Sequence, residues 1–227
     1  MKPDPKALAD AVASVRSLMS HLRKTTAPEG LLEQVRRDVA ALSRELAQYD
    51  HPGPYAQRSL EISDGLPGSD ETPAEFFPYS PVIGPLNPIA PPVEFRLEGR
   101  EIHAEHVFDA PYNGPPTAVH GGAIALVFDE LLGTLGAMTG VGGFTGTLTI
   151  RYRSLTPIAR PIRMRSWIDR RDGRKTFIAG SMHHGDTLCA EAEGVFIQPK
   201  GSMIEHVMGR IASESAEARD PEPGGSG

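Results

Sequence analysis

The segment 113–130, NGPPTAVHGGAIALVFDE, joins a glycine-opened helix start to a carboxylate that stands among apolar residues. Backbone N–H groups in the first turn of a helix have no intrahelical acceptor, and the helix dipole adds roughly half a positive charge there. The amides of Gly121 and Gly122 could therefore stabilise a carbonyl oxygen that gains negative charge, because glycines let that oxygen approach closely. Asp129, further along the same helix, is the second group that could do chemistry.

The spacing of apolar residues predicts how this helix is oriented in the fold. One stripe follows the three-and-four period of a buried helix face, and it should lie on a sheet. The opposite side is a row of small residues around Asp129, which would let another backbone come close; the ordinary alternative is that Asp129 is a surface or ion-paired residue. The buried stripe is Ile124, Val127, Phe128, Leu131, Leu135 and Met138, and the small row is Gly122, Ala125, Asp129, Gly133 and Gly136.

The distance between the two candidate groups predicts a dimer. Gly121 and Asp129 are eight positions apart, which is about 12 Å along a helix, so one chain cannot place both on one carbonyl. Two such helices packed antiparallel along their small-residue faces would bring the tip of each to the middle of the other. Two equivalent sites would then form at a two-fold interface.

A family resemblance rests on His120-Gly121-Gly122, on the Asp nine residues after the His, and on TGTLTIRY at 145–152 followed by a Pro-containing turn. This pattern resembles the hotdog-fold thioesterases of the PaaI type over roughly 92–199. The resemblance implies that the helix-start Gly amides polarise a thioester carbonyl and that Asp129 acts from the other subunit as nucleophile or general base.

Three further residues take candidate roles from the same resemblance. Thr145 matches a Ser or Thr that positions the attacking water. Asn113 corresponds to an Asn of the family that usually stands six residues before the His, although here the separation is seven. His120 is either a base or, as is more usual before a helix tip, a capping or positioning residue. The implied substrate is an acyl-CoA, so coenzyme A is part of the substrate and no separate cofactor is expected.

A basic segment follows the helix and could contact the phosphates of coenzyme A, since Arg offers forked donors suited to phosphate oxygens. Many of these residues alternate with apolar ones and are expected to be ordinary solvated strand residues. The candidates for phosphate binding are Arg151, Arg153 and Arg160. The whole segment comprises Arg151, Arg153, Arg160, Arg163, Arg165, Arg170, Arg171, Arg174 and Lys175.

The composition of the 227 residues excludes several classes of protein. A formal charge of −6 disfavours general nucleic-acid binding, and no run approaches the length of a membrane span. Residues 1–19 lack the apolar core of a signal peptide, so we expect a cytoplasmic protein without stable membrane insertion. Cys189 is the only cysteine and is expected to be a packed strand residue rather than a nucleophile.

The chain is predicted to have four parts. Amphipathic patterns at 6–22 and 31–48, separated by Pro28-Glu29-Gly30, predict a helical hairpin over 1–50. A Pro- and Gly-rich linker at 51–91 should lack regular structure yet lie ordered on the surface, because it contains apolar residues. A thioesterase domain at 92–200 and a partly disordered tail at 201–227 complete the prediction.

Alternating patterns predict the sheet of the main domain. Strands are expected at 93–98, 102–108, 144–153, 161–169, 174–183 and 187–198, with turns at Gly99-Arg100, Asp172-Gly173 and Gly185-Asp186. Strands, one long helix and then a run of strands indicate an α+β fold in which an antiparallel sheet wraps around the helix. With the resemblance, this predicts a hotdog fold with an N-terminal helical extension, present as a homodimer or a dimer of dimers.

Competing functions remain open from the sequence. The histidines at 103, 106, 183 and 184 lack the spacing of a metal site, so no metal is expected, and no nucleophilic Ser stands in a Gly-x-Ser-x-Gly elbow. A hotdog protein could also bind acyl-CoA without hydrolysis, as a sensor or regulator. Hydration or dehydration of an acyl thioester is a third reading, although the extra catalytic His of such relatives has no match here.

Overall fold

The structure is a computed structural model that describes residues 4–50 and 70–198. The tail predicted at 201–227 and the first part of the predicted linker, 51–69, lie outside the described residues. The described α-helices and strands, in chain order, are α1 (Pro5–Lys24), α2 (Glu29–Leu46), α3 (Pro73–Phe76), β1 (Arg96–Glu98), β2 (Glu101–Val107), α4 (Gly121–Met138), β3 (Phe144–Tyr152), β4 (Pro161–Asp172), β5 (Lys175–His184) and β6 (Thr187–Ile197). Short 3-10 helices lie at Ala47–Tyr49 and Ala110–Tyr112.

A six-stranded antiparallel sheet packs around α4 and confirms the predicted α+β hotdog architecture. The strand order is β1-β2-β4-β5-β6-β3, so β3 forms one edge of the sheet. All six residues of the predicted apolar stripe of α4 are buried, and all of them except Met138 share one core with side chains such as Ile162, Ile178 and Phe196 from the sheet. By length and hydropathy α4 could also cross a membrane, but half of it is buried within this core.

The small-residue row of α4 is only partly open. Gly136 is buried because the loop after the helix crosses it: a Cβ there would lie 2.9 Å from the Cα of Gly142. Gly133 is half-buried, and a Cβ on it would contact the ring of Phe196 at 3.6 Å. At its C-terminal end the small row is thus approached by backbone of the same chain, and the part that is open to another chain runs from Gly122 to Asp129.

Two predicted boundaries differ from the structure, one at a turn and one at the start of a strand. The turn between β4 and β5 is Gly173-Arg174 rather than Asp172-Gly173, because Asp172 still pairs with Lys175; Gly173 takes a positive φ of 54°. The first strand begins at Arg96 rather than at residue 93, where the chain instead buries Val93 and Phe95. The predicted turn at Gly185-Asp186 is present as expected.

Residues 70–92 lie deeper than the surface path that the sequence predicted. A single helical turn, α3, forms behind a capping box in which Thr72 and Glu75 satisfy each other's backbone N–H groups. Val82 and Ile83 are fully buried in the main core, which also contains the apolar side chains of α4. Burial of such side chains is worth about 1.5–3 kcal/mol each, which explains why this proline-rich segment is held in place.

The two N-terminal helices differ in how they are held. α1 docks on the domain: Arg16 Nη1 donates to the carbonyls of Pro85 and Asn87 at 3.2 and 3.1 Å, and Ser20 and Lys24 bind the carboxylate of Asp109. The hydroxyl of Ser20, followed by the N–H of residue 110 and by Lys24, lowers the pKa of Asp109 to about 2. α2 buries none of its residues, so its apolar stripe is exposed.

Candidate active site

His120 caps the first turn of α4. Its Nδ1 accepts a hydrogen bond from the N–H of Gly122 at 2.9 Å, so in the neutral ring the proton is carried on Nε2. Gly122 suits this arrangement because a Cβ there would stand 3.1 Å from Nδ1. The side chain therefore has the capping role that was one of the two predicted for it.

The capping bond changes which amides can face a ligand. Sequence reasoning selected the N–H groups of Gly121 and Gly122, but that of Gly122 is already used by His120. Within residues 4–50 and 70–198, the N–H groups of Gly121 and Ala123 donate to no protein acceptor. The free donors at the helix tip are therefore Gly121 and Ala123 rather than the two glycines.

Tyr152, at the end of β3, bonds to the same turn. Its hydroxyl donates to the carbonyl of Gly121 at 2.8 Å. Sequence reasoning included Tyr152 in a strand motif but gave it no role, since nothing in the local pattern shows that the end of this strand meets the start of α4.

The loop before the helix fixes the position of His120. The backbone N–H of His120 donates to the carbonyl of Tyr112 at 2.8 Å, and Gly114 packs so closely that a Cβ there would lie 2.6 Å from the Cα of His120. Asn113 closes this loop, because its Nδ2 donates to the carbonyls of Pro115 and Ala118 at 2.9 and 2.7 Å. Both side-chain N–H donors of Asn113 are thus used within the loop, and neither is left to bind a substrate.

Asp129 and Thr145 form a pair across the open side of α4. The hydroxyl Oγ1 of Thr145 donates to Oδ1 of Asp129 at 3.0 Å. Thr145 is exposed and Asp129 is half-buried, so the pair is accessible from solvent in the single chain. Gly121 stands about two turns away along the helix, about 12 Å by the helical rise, which separates the carboxylate from the amides of its own chain.

Glu130 is a second carboxylate of α4 that sequence reasoning left without a role. Burial raises its pKa, the nearby charge of Asp129 raises it further, and a hydrogen bond from the Ser80 hydroxyl opposes both effects. Ser80 is fully buried, and its oxygen also accepts from the N–H groups of Val82 and Ile83. Glu130 therefore ties the segment 70–92 to α4, one residue from Asp129.

The raised pKa of Glu130 predicts how stability depends on pH. A carboxyl whose pKa is higher in the folded state stabilises the fold while it is protonated, and this contribution is lost as the pH rises through the folded-state pKa. Glu130→Gln keeps an acceptor for Ser80 without the charge. Its melting temperature should match that of the wild type near pH 4 and exceed it increasingly toward pH 8, whereas the exposed control Glu105→Gln should show no such trend. A mutant that melts below the wild type at pH 8 would contradict this account.

The arginines of the basic segment divide into paired and unpaired groups. Arg153 binds Glu191 of β6 through Nε at 3.1 Å, and Arg165 makes a two-pronged bond with Glu101 of β2 at 2.7 and 2.6 Å. Acids from neighbouring strands thus neutralise part of the segment, as the solvated-strand alternative expected. Arg151 and Arg160 are exposed and form no ion pair within the described residues; they remain the phosphate-binding candidates, and Arg153 is a weaker one.

Sequence comparison finds curated relatives over a limited part of the chain. Acyl-coenzyme A thioesterase THEM5 of Homo sapiens is 33% identical over 87 residues, which is 37% of this chain and 35% of that protein. Acyl-coenzyme A thioesterase THEM4 of Bos taurus is 35% identical over 91 residues, or 39% of this chain and 37% of that protein. The match thus spans little more than a third of these relatives, and no family model matches the chain.

A solved structure extends the likeness to most of the chain. The crystal structure of protein RHA08564, a thioesterase superfamily protein, is 28% identical and superposes with a TM-score of 0.72. The alignment covers 86% of this chain and 97% of that one, and therefore more than the sheet and α4 alone. The predicted resemblance is confirmed: the chain has the fold of a solved thioesterase superfamily protein and is similar, over a shorter segment, to curated acyl-coenzyme A thioesterases.

Proposed function

We propose that the protein is an acyl-CoA thioesterase whose reaction centres each combine Asp129 of one subunit with the helix tip of the other. The observation that carries the proposal is the Asp129–Thr145 pair, a carboxylate held by a hydroxyl on the open side of α4. The likeness to acyl-coenzyme A thioesterases over the matched segment supports this assignment.

A dimer is needed because each chain carries the two halves of the site about 12 Å apart on one helix. The open side of α4 and the edge strand β3 adjoin each other, since β3 bonds to α4 at both Thr145 and Tyr152. Leu126 is 40% exposed and Tyr152 is 54% exposed on the same side. An open strand edge with apolar neighbours is a surface that soluble proteins usually cover, and a second copy related by a two-fold axis would cover both copies at once.

The chemistry that follows is hydrolysis of the thioester. The Gly121 N–H, assisted by that of Ala123, donates to the carbonyl oxygen and stabilises the charge that develops on it. Asp129 either attacks the carbonyl carbon, which expels the coenzyme A thiolate and leaves an anhydride for water to cleave, or removes a proton from a water that attacks directly. Both routes consume one water and yield a carboxylic acid and free coenzyme A.

Thr145 has a defined part in either route. Its hydroxyl donates to one carboxylate oxygen and so restrains Asp129, while a lone pair of the same oxygen can accept a hydrogen bond from the attacking water and orient it. A thiolate is a good leaving group, so the site has no need of a strong general acid. We assign binding of the coenzyme A phosphates to Arg151 and Arg160, which are free to form forked bonds with phosphate oxygens.

This function is tested by measuring the hydrolysis of a panel of short, long and aromatic acyl-CoAs. The free thiol that each reaction releases is the quantity measured. Arg151→Gln and Arg160→Gln should raise KM at least about threefold with little change in kcat, because each removes one phosphate contact. Arg174→Gln, a substitution of an exposed arginine that bonds to the carbonyl of Gln198, is the matched control. Purified protein that retains acyl-CoA without hydrolysing any member of the panel would contradict the proposal and favour the sensor alternative.

A further inference from the structure

We propose that Tyr152 is a positioning residue that aims the Gly121 N–H at the carbonyl oxygen of the substrate; this inference rests on the proposed thioesterase function. The contact that points to it is the hydrogen bond from the Tyr152 hydroxyl to the Gly121 carbonyl, 2.8 Å long. Tyr152 touches no reacting atom in this assignment and acts through the peptide group that it holds.

The peptide group between Gly121 and Gly122 is held at both ends. Its carbonyl oxygen accepts from Tyr152, and its N–H donates to Nδ1 of His120 at 2.9 Å. Because a peptide group is planar, these two bonds fix its orientation. The Gly121 N–H lies in the preceding peptide group, whose His120 carbonyl accepts from the N–H of Ile124 at 3.1 Å. Both peptide groups that meet at the Cα of Gly121 are therefore held, and Tyr152 holds the second of them. Two consecutive glycines would otherwise leave this turn with unusual conformational freedom, and a donor that moves stabilises a developing charge poorly.

The position of Tyr152 argues against a purely packing role. Its side chain is 54% exposed in the single chain, so it contributes little to the core. The ring instead lies against Gly121, where a Cβ would be 3.7 Å from the ring carbons and 3.6 Å from the hydroxyl oxygen. The strand β3 thereby holds both reacting parts of its own chain: Thr145 near its start bonds to Asp129, and Tyr152 at its end bonds to the helix tip.

Tyr152→Phe removes the hydroxyl and keeps the ring. We expect kcat to fall about tenfold, a fraction of the loss that follows when an oxyanion donor is removed outright, while KM and the melting temperature stay close to those of the wild type. Ser154→Ala is the matched control. Ser154 lies two residues after Tyr152, and its hydroxyl donates to the carbonyl of Leu188 at 3.0 Å, away from the helix tip.

Two spectroscopic signals separate positioning from general damage. The amide ¹⁵N shift of Gly122 reports hydrogen bonding at the Gly121 carbonyl and should change in Tyr152→Phe without any ligand. A ketone analogue of acyl-CoA, with CH₂ in place of the sulfur and ¹³C at the carbonyl, should show a smaller downfield shift when bound to the variant than when bound to the wild type.

The outcomes distinguish this inference from the function on which it rests. If the wild type hydrolyses acyl-CoA and Tyr152→Phe keeps its kcat and its bound carbonyl shift, the role of Tyr152 is overturned and the thioesterase function stands. If the wild type binds the analogue but hydrolyses no thioester, the thioesterase function is overturned, and the carbonyl shift still decides whether Tyr152 controls polarisation at the helix tip.

Discussion

Asp129→Asn is expected to lower kcat for acyl-CoA hydrolysis at least about a hundredfold, whether Asp129 is a nucleophile or a general base. The amide can neither attack the carbonyl nor accept a proton from water. The fold should be unaffected, because the Asn oxygen can still accept the hydrogen bond from Thr145 that Oδ1 of Asp129 now receives. Steady-state kinetics with the best substrate of the panel, together with the melting temperature, measure both expectations.

Asp169→Asn, on the exposed end of β4, is the control and should keep the wild-type rate. Turnover at the wild-type rate in Asp129→Asn would remove this residue from the reaction. In the active enzyme, intact-protein mass after rapid quenching separates the two routes, since only a nucleophilic Asp129 forms a covalent acyl-enzyme.

Gly121→Pro is expected to lower kcat by about a hundredfold or more, because it deletes the N–H that we assign to the developing oxyanion. Gly121 is the first residue of α4, where proline is well tolerated and its missing N–H costs no intrahelical bond. The preceding residue, His120, already has φ −64° and ψ 135°, which a following proline allows. The substitution therefore removes a donor while it preserves the helix.

Circular dichroism and thermal unfolding should show an intact fold in Gly121→Pro, whereas steady-state kinetics should show the expected fall in kcat. Glu29→Pro, at the first position of α2, is the matched control because the preceding residue, Pro28, has φ −65° and ψ 153°, which a following proline allows. An unimpaired kcat in Gly121→Pro would mean that the carbonyl is polarised elsewhere.

The parts of the fold that depend on local periodicity could be predicted from the sequence. The apolar stripe of α4 and the turn at Gly185-Asp186 are patterns within a few neighbouring residues, and both were found as expected. The burial of Val82 and Ile83 was missed, because nothing in a proline-rich segment shows which element it will cover. The closing of Gly136 by the loop at Gly142 is likewise a contact that helical spacing alone cannot reveal.

In the candidate site, too, features set by local spacing could be predicted, and contacts between distant elements could not. The spacing from Gly121 to Asp129 and the matching position of Thr145 could be read from the sequence, whereas the bonds that decide each group's role are between distant elements. The use of the Gly122 N–H by the His120 ring depends on a rotamer, and the Tyr152 and Glu130 contacts depend on how β3 and residues 70–92 meet α4. The pairing of Arg153 with Glu191 depends on the register between β3 and β6.

A heterodimer of Asp129→Asn and Gly121→Pro subunits, purified through two different tags, tests the shared site most directly. If each reaction centre takes its carboxylate from one subunit and its amide from the other, one of the two centres is intact and the heterodimer regains about half of the wild-type activity. Both parent homodimers should remain inactive. A heterodimer as inactive as its parents would show that Asp129 and Gly121 of one chain serve the same centre, and it would contradict the account.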